Sequence, residues 1–288
     1  MKTRLLIISN LLLPLLISAQ TEKVLKTYSA EQLIETIIDK TEAKKIINTV
    51  DVIKAGNAHE KVNGIVTCMF ATMEVLKTAV AEKCNLIITH EPLYYNHLDS
   101  ADNFKNDPVY LEKKKFIEDN NLVVWRFHDY IHRINPDGII SGMVDKLHWK
   151  KNQSSSNPYA FSFEKITLEQ FLKSLKNAFP ENAFHVVGNP TMNLTNVVMV
   201  PGASGTLAQI SQLRKNEVDV VIAGEVPQWE TYEYVRDANL QGRKKAIVFI
   251  GHINSEESGM KFCADWLSKF ITDIPIHFVE CGSSYWSY

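Results

Sequence analysis

The chain has 288 residues, 45% of them apolar and 22% charged, with a formal net charge of −2. That length supports one large or two modest domains around a buried core. The near-neutral balance excludes a basic footprint for nucleic acid or for anionic membrane, so function must come from particular residues.

The first segment reads as a leader rather than as part of the fold. Lys2 and Arg4 precede a mostly apolar run over 5–17, and Ser18 and Ala19 precede Gln20. This layout predicts a signal peptide at 1–19 and an exported protein, periplasmic or secreted, with no membrane attachment after cleavage. The run is broken by Ser9, Asn10 and Pro14 and is too short to span a bilayer. Cys68, Cys84, Cys263 and Cys281 form no CxxC pair and read as free thiols.

A polar stretch at 151–158 (KNQSSSNP) reads as a linker between an N-terminal lobe, 20–150, and a C-terminal lobe, 159–288. Each lobe opens with a capping box: Ser29 three residues before Gln32, and Thr167 three before Gln170. Amphipathic helices follow, carrying Leu33, Ile34 and Ile37 in one case and Phe171, Leu172 and Leu175 in the other. The first lobe then offers strands at 64–69, 85–89 and 122–125, with a helix at 72–82. The second offers strands at 197–200, 218–223 and 246–250. Short apolar strands alternating with helices predict an α/β fold of two lobes with mainly parallel sheets. In such sheets ligands gather beyond the carboxyl ends of the strands.

Those ends carry the chemistry. The strand at 85–89 runs into His90-Glu91-Pro92, the strand at 122–125 leads to His128-Asp129-Tyr130-Ile131-His132, and the strand at 246–250 ends at Gly251-His252 with Glu256 beyond. A helix beginning near Ser255 would put Glu256 in its first turn, beside His252. Imidazole and carboxylate together suit Zn, Mn, Fe or Ni. Taken singly, a histidine at a strand end is more often structural, and Arg126 and Arg133 make a salt-bridged loop the plain alternative for His128 and His132. Five candidate ligands at three strand ends favour a metal site. The turn at 202–205 reads as the launch of a helix, and neither a P-loop nor a dinucleotide fingerprint occurs.

The same residues resemble the Nif-three-like dinuclear metal-centre proteins, also known as GTP cyclohydrolase type 2 homologues. That family carries a strand ending in two His and a Pro, an HTxxD segment, a GGSG-like turn, a TGE segment and a GHxxxE segment. Here the order is His90-Glu91-Pro92, His128 to His132, Pro201-Gly202-Ala203-Ser204-Gly205, Ala223-Gly224-Glu225 and Gly251-His252 to Glu256. The family's second adjacent His is Glu91, and its ligand Asp is His132, so the two departures read as an exchange that keeps three imidazoles and two carboxylates. The resemblance implies a Nif-three-like fold with the site between the lobes and two divalent ions held by His90, Glu91, His132, His252 and Glu256. It also implies that Glu256 bridges the ions and that the assembly is a toroidal homohexamer. His128 and Asp129 stand in reserve for His132, and His97 is a further candidate.

The expected activity is metal-dependent hydrolysis of an unknown small molecule, with Asp129 or Glu225 moving the proton. The alternative is a non-catalytic metal-binding scaffold or metal-storage oligomer, because a closed ligand set leaves no position for substrate.

Overall fold

The computed structural model describes residues 27–283 together with 285 and 286; the expected leader at 1–19 lies outside the described residues. In chain order the elements are α1 (Ala30–Lys40), β1 (Ile53–Ala55), β2 (Ile65–Cys68), α2 (Met73–Ala81), β3 (Leu86–Thr89), α3 (Pro108–Asp119), β4 (Val123–Arg126) and α4 (Gly138–Leu147). There follow β5 (Ala160–Thr167), α5 (Leu168–Ala178), β6 (His185–Val187), β7 (Asn193–Val200), α6 (Gly205–Leu213), β8 (Val220–Ala223), α7 (Glu233–Leu240), β9 (Ala246–Phe249), α8 (His252–Leu267) and β10 (Ile276–Phe278). No helix among the described residues is long and apolar enough to cross a membrane.

Both capping boxes form. The Ser29 hydroxyl accepts from the Gln32 amide while the Gln32 side chain accepts from the Ser29 amide, and Thr167 and Gln170 repeat the exchange. Each box starts a helix with one buried stripe: Leu33, Ile34 and Ile37 on α1, and Leu168, Phe171 and Leu175 on α5. β2, β3, β4 and β8 are buried along their whole length, as strands covered on both faces must be.

The first sheet runs β1-β4-β3-β2-β10, parallel throughout except for β1. The second runs β5-β7-β8-β9-β6, parallel at its centre and antiparallel at both edges. Register brings Cys68, Thr89 and Arg126 level at one end of the first sheet, and Val200, Ala223 and Phe249 level at the matching end of the second.

The lobes at 20–150 and 159–288 do not separate in space as they do along the chain. β10 pairs with β2, and the Thr67 hydroxyl donates to the Met260 carbonyl at 2.8 Å, so the C-terminal segment completes the first sheet. In return α4, from the first half, gives Ile140, Met143 and Leu147 to the apolar core of the second sheet. α4 and α8 cross in backbone contact: a Cβ on Gly142 would lie 2.1 Å from the Ser258 carbonyl oxygen, and one on Gly259 would lie 2.6 Å from Ile139 Cα. Composition marks a break in the chain but carries no record of such an exchange. The stretch at 151–158 is likewise no free tether, since Asn152 accepts from the Ser162 amide and Ser154 donates to Ala160. The four cysteines are unpaired.

Candidate metal centre

Three strand ends deliver the candidate donors. Beyond β3 the ladder continues for two residues, with the His90 amide donating to Cys68 and the Glu91 amide to Met69, before Pro92 ends it. Beyond β4 the buried Asp51 carboxylate accepts from the amides of His128, Asp129 and Tyr130, each at 2.8 Å, and fixes the turn that carries His128. His132 follows in a single 3-10 turn (Ile131–Arg133). Beyond β9, Gly251 takes φ 93°, a conformation open to glycine, and α8 starts at once with His252. The helix therefore begins earlier than the expected start near Ser255, and His252 and Glu256 stack four residues apart on one face.

All five expected donors converge, and His128 joins them. The His90 ring lies 4.6 Å from that of His128 and 5.3 Å from that of His132, centroid to centroid. His252 Nε2 stands 3.0 Å from Glu256 Oε2 and 3.2 Å from Glu91 Oε1, while His90 Nε2 is 3.6 Å from Glu256 Oε2. Donors sharing one ion at bonds of about 2.1 Å stand about 3–4 Å apart, so these separations suit a common cation. One ligand atom from each of His90, His128 and His132 lies within 4.8 Å of the others, and the same holds for His90, Glu91 and Glu256. Either group could hold a metal ion.

The imidazoles are oriented for this. His90 Nδ1 faces the Phe127 carbonyl at 3.3 Å, His128 Nδ1 faces Asp129 at 3.0 Å, His132 Nδ1 faces Asp137 at 2.8 Å, and His252 Nδ1 faces Glu225 at 2.7 Å. Carbonyl and carboxylate oxygens only accept, so Nδ1 carries a proton in each ring, and His252, whose Nε2 meets the Glu256 carboxylate, carries a second. Outer partners of this kind fix the ring and tautomer of metal-binding histidines. His90 Nε2 is buried without a hydrogen-bond partner among the described residues.

Charge tells the same story. Burial, together with His132 and His128, holds His90 well below its ordinary pKa, so it is neutral and carries a lone pair. Burial opposes charge on His252 as well, but hydrogen bonds and charge from Glu256 and Glu91 push it up to about 11. The pair of carboxylates thus calls for a cation between them, which a proton on Nε2 supplies. Burial would raise Glu91, yet His252, His128 and Arg126 hold it below the usual carboxylate value.

Arg126 was not expected as part of the site. It is fully buried and donates to the His90 carbonyl at 3.1 Å, the His97 carbonyl at 2.6 Å and Glu91 Oε2 at 3.2 Å. It gives Glu91 a fixed counter-charge and leaves Oε1 facing His252. Asp137 caps α4 through Oδ1 and takes both His132 and the Tyr159 hydroxyl on Oδ2. Gly202, at φ +61°, brings its backbone against Glu256: a Cβ there would lie 2.5 Å from Oε1. The turn at 202–205 does launch α6, and it also walls the centre. Asp129 and Glu225, expected to move protons, have one oxygen each on an imidazole Nδ1, and the other oxygen of Asp129 accepts from Thr49 and Val50. His97 lies at the edge, its ring 6.3 Å from that of His128.

Two cavities meet at the donors. One, of about 520 Å³, is lined by His128, His132, Tyr159 and Glu256; the other, of about 570 Å³, is lined by Phe70, Met73 and Lys113, and both share Glu91 and His252.

The chain resembles several known proteins. A GTP cyclohydrolase 1 type 2 homolog of Clostridium acetobutylicum is 24% identical over 212 residues, covering 70% of this chain and 75% of that protein. Hypothetical protein SA1388 of Staphylococcus aureus superposes with a TM-score of 0.70 at 15% identity, over 90% of this chain and 99% of that one. A Bacillus cereus protein related to NIF3 gives 0.69 at 15% identity, over 91% and 99%. These structural likenesses are of fold. The family model for Duf34/NIF3 (NGG1p interacting factor 3) matches residues 26–283, and the chain belongs to that family.

Proposed function

We propose that the chain is a metal-dependent hydrolase with a two-ion centre held by His90, Glu91, His132, His252 and Glu256. The observation that carries this reading is the common orientation of four imidazoles, each with Nδ1 engaged and Nε2 inward, around two carboxylates. The donors divide naturally. Ligand atoms of His90, His128 and His132 form one group and those of His90, Glu91 and Glu256 another, and Glu256 Oε2 lies 3.6 Å from His90 Nε2 and 3.0 Å from His252 Nε2, so Glu256 would be the ligand shared between two ions. Bound divalent ions would supply Lewis acidity and lower the pKa of water for attack on a carbonyl, amidine or phosphoryl centre. Arg126 positions Glu91, and Asp137 positions His132. Asp129 and Glu225 hold the imidazoles of His128 and His252 and are placed to take up a proton there, and His97 lies on the wall of both cavities.

A second reading, a metal-storage or scaffold oligomer without turnover, is favoured by one observation: His128 is a sixth donor, and a filled ligand set closes the position that catalysis needs. Elemental analysis of the purified chain, followed by a screen on esters, phosphodiesters and cyclic amides, separates the two. Two equivalents of metal with turnover abolished by His252→Ala supports the hydrolase; metal without turnover supports storage; no metal overturns both. We further read the protein as exported after cleavage at 1–19 and as a homo-oligomer, a hexamer by family resemblance. N-terminal sequencing of the mature protein and light scattering on it check those points.

A further inference from the structure

Metal binding leaves the larger cavity unexplained. Its walls are largely apolar, with Phe70, Met73, Leu93 and Ile253 among them, and Lys113 of α3 lines it together with Glu91, Glu225 and His252. Lys113 is only 6% exposed. Its Nζ donates to the Leu93 carbonyl at 2.8 Å and stands 5.6 Å from the centre of the Tyr95 ring. Among the described residues no carboxylate lies within 4.0 Å of it, although its neighbours Lys114 and Lys115 pair with Glu118 and Asp119 one turn on. An ammonium has three N–H groups, so Leu93 leaves two unused. Burial lowers Lys113 to about 8, and it still carries its charge at neutral pH. Asp99 favours the charge from beyond 4.0 Å, but that carboxylate is already shared by Lys54 at 3.2 Å and Arg126 at 3.8 Å, so the buried ammonium lacks a close anion of its own. A monoanion fits better than a phosphate dianion, because Glu91 and Glu225 also line this cavity.

We propose that this cavity is a subsite for an amphiphilic carboxylate, with an aryl or alkyl body against Phe70, Met73 and Leu93 and the carboxylate on Lys113 Nζ. Its far end would bring a reacting group to Glu91 and His252, a clause that rests on the hydrolase reading. The volume of about 570 Å³ is that of a small-molecule pocket, and largely apolar walls with a few placed polar groups are the usual recipe for one.

The test is calorimetric titration of the purified mature chain with 3-phenylpropionate and with 3-phenylpropionamide, an uncharged match. A charge-assisted hydrogen bond predicts that the acid binds at least about 10-fold more tightly than the amide. Lys113→Met should erase that preference by weakening the acid and leave amide binding within about 2-fold. Equal binding of both by the wild type, or a preference that survives Lys113→Met, overturns the proposal; in the second case the carboxylate sits on the metal centre instead. Should Lys113→Met not fold, Lys113→Arg must keep the preference, and methyl spectra of the wild type must show the acid shifting Leu93 and Met73; shifts confined to other methyls overturn it. Elemental analysis of the same samples keeps the claims apart. Loss of preference in a metal-loaded protein sinks the subsite alone, and preference in a protein without metal sinks the hydrolase reading alone.

Discussion

Arg126 is the sharpest point of attack, because it joins the core to the centre through one buried guanidinium. Arg126→Met keeps most of the apolar stem and removes every donor. It takes one of two counter-charges from Glu91, which is 8% exposed and keeps His252 at 3.2 Å, and it frees the carbonyls of His90 and His97. Removing one partner of a buried ion pair costs about 3–5 kcal/mol, and the lower end applies here because His252 remains on Glu91. Two lost hydrogen bonds to carbonyls add about 1 kcal/mol each. The single variant should therefore lose roughly 5 kcal/mol in the metal-free protein. Glu91→Gln should lose less, about 2–3 kcal/mol, because Asp99 at 3.8 Å still faces Arg126 and the carbonyl contacts persist. The double variant removes both charges together, so its loss should fall short of the sum by about 2–3 kcal/mol. Guanidinium unfolding of the four proteins, with a shared slope, measures the cycle. If the two single losses add within about 0.5 kcal/mol, the pair is not coupled and the counter-charge account of Glu91 is wrong.

Other outcomes follow from single residues. Gly202→Ala pushes a Cβ into Glu256 at a left-handed φ, so metal affinity read by chelator competition should fall about 10–100-fold; unchanged affinity would remove Glu256 from the centre. Asp51→Ala orphans three amides of the His128 turn and should destabilise by at least about 3 kcal/mol in chemical denaturation, with a loss under about 1 kcal/mol contradicting its anchoring role. Lys113 supplies the pH dependence. Its folded pKa, about 8, is below the ordinary 10.5, so the unfolded chain binds more protons between those values and stability should rise with pH across that window. The contribution is about 3 kcal/mol at full extent. Buried Cys68 and Cys263, whose thiols are raised, pull the other way above pH 9. The reading is thus the wild type against Lys113→Met, which should lack the rise; parallel curves would mean that Lys113 does not titrate as described.

Much of this was legible in the sequence because the signals are local. Ser29 with Gln32 and Thr167 with Gln170 mark helix starts through bonds three residues apart, and short runs rich in apolar and β-branched residues mark β2, β3 and β8 as buried strands. His90, Glu91, His132, His252 and Glu256 could be picked out because each follows a strand that local pattern reveals. What stayed hidden depends on distance along the chain. β1 and β10, three residues each, exist only by pairing with β4 and β2. Asp51 meets the His128 turn from 77 residues away, and Tyr159 meets Asp137 from 22. Arg126 could pass for a loop charge because an arginine at a strand end is normally solvated; its burial follows from three acceptors that only the folded chain assembles. Residue type alone does not say that Asp129 meets His128 and Glu225 meets His252.

The most direct measurement is an anomalous difference map from crystals of the mature protein grown without chelator. The account predicts two peaks, one bonded to His90 and His132 and the other to His252 and Glu91, with the Glu256 carboxylate touching both. No peak, or peaks that leave Glu91 and His132 unbonded, would contradict it.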